Sequence, residues 1–321
     1  PIGHAAYFRD MAMYIALKEH GAVPEGDGLE TFPLSQVISN AFADVHEEDK
    51  DGMSLALYLA DKLVSRADLD DDDDLGEVTG ILHNALVSDE EASLLEVFRD
   101  TADILTTPIH YHGQRLCLRD ECLRPCYGMG TIRKLADLGV DMDRAVIRGR
   151  TPACILAGSG LGQWNEAYFE EAALFSRESM EQLDDQGEAA VHLAAREGHL
   201  GMLQVMAEKG VDLNLAKDAP ARAGMTPLHE ACAAGRGDVA RLLIAAGADD
   251  TRKDVEGETP AHSALMEKRA GRQLEVKQRA DVLKELKHLD IPRNDGRTPL
   301  MLLGQFQREL LSRFLSRGVD V

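Results

Sequence analysis

Aromatic residues are scarce in this chain, at 5% of the sequence with a single tryptophan. A β-sandwich draws its core from aromatic and β-branched side chains, so the shortage argues against one. Leucine and alanine dominate instead, the residues of closely packed helices. Long apolar runs are also absent. No stretch approaches the roughly 18 uninterrupted apolar residues of a membrane span, and the opening "PIGHAAYFRD" has no basic lead or apolar run of a secretory signal. Cysteine is sparse and odd in number, with 117, 122, 126, 154 and 232 irregularly spaced. That pattern excludes a disulfide framework and implies free thiols in a reducing, cytoplasmic compartment.

Basic residues are missing from one region in particular. Residues 1–110 hold 6 Lys or Arg against 24 Asp or Glu, a balance of −18, whereas residues 111–321 hold 29 against 32. An acidic surface repels nucleic acid and anionic lipid, so neither is expected as a partner. A protein with a basic surface would complement it. The tract "ADLDDDDDLGE" at 67–77 fails as a calcium loop, because Asp73 and Thr79 stand where glycine and glutamate are required. It reads as a solvated insertion. Apolar periodicity marks helices near 5–20, 34–44, 52–65, 76–87 and 89–105.

The motifs of familiar chemistry are missing too: no G-x-S-x-G elbow, no P-loop, no H-E-x-x-H. His110, His112, Cys117, Cys122 and Cys126 are ligand types that zinc favours, but they lack the paired spacing of compact zinc sites. No metal or cofactor is expected, and no catalytic residue.

What the chain does have is a repeat. "GMTPLHEACAAGRGDVARLLIAAGAD" begins at Gly224, and Thr259, Pro260 and His262 recur 33 residues after Thr226, Pro227 and His229. Ala189, Ala190 and His192 stand 37 residues before them, Thr151 and Pro152 a further 38 before, and Thr298 and Pro299 39 after Thr259. Each part has a mechanical purpose. Threonine caps the N-terminus of a first helix, and proline at N1 lacks only an N–H that would be unsatisfied anyway. A glycine turn follows, then a second helix with Val239, Leu242, Leu243 and Ile244 on its apolar face. Gly139, Gly210, Gly247 and Gly318 close such helices where positive φ is needed.

The period, with "TPLHEA" intact, closely resembles the ankyrin repeat. The resemblance covers residues 148–321, with departures where Ala189-Ala190 replaces Thr-Pro and where Cys154 and Met301 replace the histidine. It implies an all-α solenoid of stacked helix–turn–helix units with short β-hairpin loops. It also implies a concave protein-binding face, and histidines that link neighbouring loops. Residues 1–110 form an acidic helical region of degenerate repeats, with a separate helical bundle as the competing reading. Residues 111–147 form an irregular repeat with a recognisable second helix.

The function expected is a non-catalytic protein–protein interaction scaffold, as a monomer or an end-to-end dimer. The alternative is an enzyme or inhibitor whose activity lies in the acidic third, with the repeats as a docking arm. Candidate partner contacts at the hairpin tips are Gln186, Glu188, Arg222, Met225, Arg252, Lys253, Glu256, Glu258, Arg293 and Arg297. Those on the inner helices are Arg196, Glu197, Glu230, Met266 and Glu267.

Overall fold

The computed structural model describes residues 78–79, 81–82, 85–86, 95–99, 102–111, 114–123, 130–159, 171–219, 223–266 and 275–302. The expected helices at 5–20, 34–44 and 52–65, the tract at 67–77 and Gly318 lie outside these residues. The chain divides into two compact units, 1–141 and 142–321.

In the first unit, residues 78–79, 81–82 and 85–86 are helical, and Val78, Ile81, Leu82, Ala85 and Leu86 are buried. They follow the periodicity expected at 76–87. Helices α1 (Leu95–Arg99) and α2 (Ala102–Thr106) fall in or at the edge of the stretch expected at 89–105. An antiparallel hairpin follows, β1 (Ile109–Tyr111) with β2 (Gln114–Leu116), pairing Ile109 with Leu116. It is the one sheet among the described residues. Helix α3 (Leu118–Cys122) packs on α2, and the Cys117 thiol donates to the Leu105 carbonyl at 3.0 Å. Arg119 is wholly buried: Nε and Nη2 donate to Asp120 Oδ1, and Nη1 to the Asp141 carbonyl at 2.6 Å. Burial nevertheless raises the Asp120 carboxyl above its ordinary range, against the pull of Arg119. Helix α4 (Thr131–Asp137) ends at Gly139.

The second unit repeats one motif. The helix pairs are α5 (Pro152–Gly158) with α6 (Arg177–Glu181) and α7 (Ala190–Glu197) with α8 (Leu200–Glu208). Next come α9 (Pro227–Ala233) with α10 (Gly237–Ala245), then α11 (Pro260–Leu265) with α12 (Val276–Glu285). A 3₁₀ turn at Pro299–Leu302 begins the next motif. First helices stack in sequence order, α5 on α7, α7 on α9 and α9 on α11, while α8, α10 and α12 form a second row. Ala194, Ala195, Ala231, Ala261 and Ala264 are fully or almost fully inaccessible, and such small residues let the first helices approach closely. Leu203 and Met206 of α8 and Val239 and Leu243 of α10 are buried in the second row.

The caps follow from sequence. Thr151, Thr226 and Thr259 hold the N-cap with proline behind them, and the Thr151 hydroxyl accepts from the Cys154 N–H at 3.3 Å. Gly139, Gly210 and Gly247 each take positive φ and close their helices with the same pair of backbone bonds. Gly187 is different in kind. A Cβ there would lie 2.2 Å from the Asp218 carbonyl oxygen, whereas nothing lies within 4 Å of one at Gly247. Both substitutions to alanine should cost about 1 kcal/mol from backbone strain. Gly187→Ala should cost roughly 1–3 kcal/mol more by overpacking the neighbouring loop, a difference that urea unfolding would measure.

Candidate binding surface

Between helix pairs the chain makes tight loops, all built on one plan. The N–H of Asp184, Lys217, Asp254 and Arg293 donates to the carbonyl of Glu188, Met225, Glu258 and Arg297 respectively, each at 2.9 Å. The glycines 187, 224, 257 and 296, all at positive φ, donate back to the carbonyls of those same four residues. Asp184 and Asp254 tighten their loops further, each Oδ1 accepting two backbone N–H groups.

Neighbouring tips are bonded to one another. Asp185 donates to the Arg148 carbonyl at 3.0 Å, Asp218 to Gly187 at 3.1 Å, Val255 to Ala223 at 3.1 Å and Asn294 to Glu256 at 3.4 Å. The histidines add a second line of links. Nε2 of His192, His229 and His262 donates to the carbonyls of Leu215, Glu258 and Arg297 at 2.9, 2.9 and 3.1 Å. A carbonyl can only accept, so each ring carries its proton on Nε2, leaving Nδ1 to accept from its own N-cap N–H. The structural role expected for these residues holds, and it survives where Ala189 replaces threonine because the backbone N–H suffices.

Beneath the tips lies a chain of charges. Arg196 grips Glu188 through both guanidinium nitrogens, at 2.9 and 3.2 Å. The fully buried Lys217 ammonium lies between Glu188 and Glu230, 2.7 Å from the latter. Burial alone would raise the Glu188 carboxyl, but Arg196 and Lys217 hold it at about 2. Burial, helped by Lys217, pulls His192 down to about 4.

These positions sort the expected contacts. Gln186, Arg252, Lys253, Glu256 and Arg297 are exposed; Arg196, Glu197, Met266 and Arg293 are half-buried. Glu188, Met225, Glu230 and Glu258 are buried, which corrects the expectation that they face a partner. The reason is electrostatic for the three glutamates: each lies beside a cation from its own or the adjoining motif. Arg222 and Glu267 lie outside the described residues. The loops also expose Asp185, Asp218, Val255, Asn294 and Asp295, which sequence reasoning passed over. Aligning the segments on Gly187, Gly257 and Gly296 would have found most of them. Cys117, Cys122, Cys154 and Cys232 are buried, and burial pushes the thiols of Cys117, Cys154 and Cys232 up. Among the described residues no group of three or more His, Cys, Asp or Glu side chains could hold a metal ion. No described helix is long and apolar enough to cross a membrane.

A family model described as ankyrin repeats, in three copies, matches residues 165–254. Residues 165–254 are ankyrin repeats. Human protein phosphatase 1 regulatory subunit 27 is 35% identical over 83 residues, which is 26% of this chain and 51% of that protein. The alignment therefore spans about half of that relative. Mouse 2-5A-dependent ribonuclease is 42% identical over 67 residues, 21% of this chain and 9% of the relative. The Notch protein of Drosophila melanogaster is 35% identical over 115 residues, 35% of this chain and 4% of the relative. Ankyrin repeats, with a regulatory subunit among the similar proteins, fit a non-catalytic protein-binding role.

The repeat histidines and the charge chain make this ankyrin stack sensitive to acid. A His192 held neutral down to about pH 4 binds its proton later than the unfolded chain does. Stability is therefore lost as pH falls from about 6.5 to about 4, by on the order of 3 kcal/mol. Glu188, depressed to about 2, loses its contribution as pH falls from the ordinary carboxylate range toward 2. Thermal midpoints should fall in both windows, and the His192 ring carbons followed by NMR should not titrate above pH 5.

Proposed function

We propose that this chain is a non-catalytic recognition scaffold that seats another protein across the loop tips and first-helix surfaces of its ankyrin stack. The observation that carries the reading is the bonding of tip to tip. Arg148, Gly187, Ala223 and Glu256 each accept a backbone hydrogen bond from the following loop. Side chains that leave such a framework are already placed, so little ordering cost remains when a partner arrives.

The exposed tips carry charges of both signs. Arg148, Asp185 and Asp218 stand on the earlier loops, and Arg252, Lys253 and Arg297 on the later ones beside Glu256 and Asp295. A partner spanning them would be read by complementary charge, which sets encounter rate and orientation more than affinity. Arg293 is left out of this set because Asp295 at 2.7 Å and Glu258 at 3.0 Å both hold it. The similarity to a phosphatase regulatory subunit supports a role of binding and not of chemistry.

The test is affinity capture from the native host with Arg252→Glu, Lys253→Glu and Arg297→Glu combined. Recovery of the specific partner should fall about tenfold or more. Lys277→Glu, an exposed residue of the second helix row, should leave recovery unchanged. Equal recovery from the tip variant, with its circular dichroism spectrum intact, would remove this face from the binding surface.

A further inference from the structure

Two positions beneath the tips are equivalent in every motif. One is the residue before the N-cap: Arg150, Glu188, Met225, Glu258 and Arg297. The other is the residue that opens the next loop: Asp184, Lys217, Asp254 and Arg293, identified by their identical backbone bonds. The first position of one motif meets the second position of the next. Arg150 Nε lies 3.0 Å from Asp184 Oδ2, Glu188 binds Lys217, and Glu258 Oε1 lies 3.0 Å from Arg293 Nη1. The sign of the pair reverses between the first two of these steps: plus on minus, then minus on plus. At the third step uncharged Met225 precedes Asp254, and the fourth is again minus on plus.

We infer that these pairs are a charge code fixing which repeat packs upon which. The first helices all present buried alanines to their neighbours, so their packing does not distinguish the correct neighbour from the one beyond it. The charges do. Skipping one motif would set Arg150 against Lys217, or Glu188 against Asp254, like upon like in both cases. The loss would be large where Lys217 and Asp184 have no exposed side chain to turn toward water. A correctly formed pair contributes little net stability, since desolvation offsets attraction. Its effect is on specificity, through the penalty on the wrong arrangement. The code is independent of what the tips bind.

The decisive measurement is whether one substitution changes sign with the neighbour. Deleting residues 184–216 joins Leu183 to Lys217 and sets Arg150 against that lysine. In the full chain, Arg150→Glu should lower the thermal midpoint by roughly 2–4 °C relative to Arg150→Gln, because Asp184 faces it. In the deletion chain, Arg150→Glu should raise the midpoint above that of the Arg150 parent by a similar shift. Equal signs in the two backgrounds would overturn the code. A second set uses only full chains and decides alone if neither deletion chain folds. With Asp295→Asn present throughout, to remove the partner within the same loop, Arg293→Glu should unfold at a lower temperature than Arg293→Gln, and adding Glu258→Gln to both should remove that difference. Arg293→Glu matching Arg293→Gln would overturn the proposal.

Discussion

The bond from each loop to the one before it is the constraint on which the second unit depends. A helix pair of this kind cannot bury its apolar face alone, so the fold exists only as neighbours. The tips set the spacing of those neighbours. Where Gly187 passes the Asp218 carbonyl, the backbones are so close that a single methyl group has no room. The alanine-lined first helices stack on one another, and the second row packs along them.

Polar groups drawn into so close a stack must be satisfied, and the repeat supplies its own donors. Each histidine serves two backbones: its own cap, through Nδ1, and the following segment, through Nε2. Holding the ring neutral is the condition for that arrangement, and burial provides it at His192 and His262. The charged residues solve a different problem. Glu188, Lys217 and Glu230 would each be costly alone inside the stack, and they are tolerated because they are buried together. Shape makes the units stackable, hydrogen bonds hold them in register, and charge tells one from the next.

Much of this was legible in the sequence. While the loop links of the histidines followed from the ankyrin resemblance, threonine and proline at fixed offsets announced the caps, because that role depends on local geometry and on residue type alone. The glycines at 139, 210 and 247 announced the helix ends for the same reason. In the first unit, apolar spacing placed helical residues at 78–79, 81–82 and 85–86, while the hairpin pairing Ile109 with Leu116 carried no comparable signal. Three-residue strands are too short for alternation to be read.

The sequence by itself determined that the second unit is built of repeated helix pairs and where its threonine-capped first helices start. Those features are written in contacts between residues a few positions apart. The tertiary structure alone decided which charges face outward. Glu188, Glu230 and Glu258 look like surface residues along the chain, yet their cations arrive from Lys217 and Arg293, 29, 13 and 35 positions away. Stacking brings Lys217 to Glu188 and Arg293 to Glu258, and the loop folds Lys217 back to Glu230; burial of a carboxylate is set by what packs against it, not by its place in the repeat.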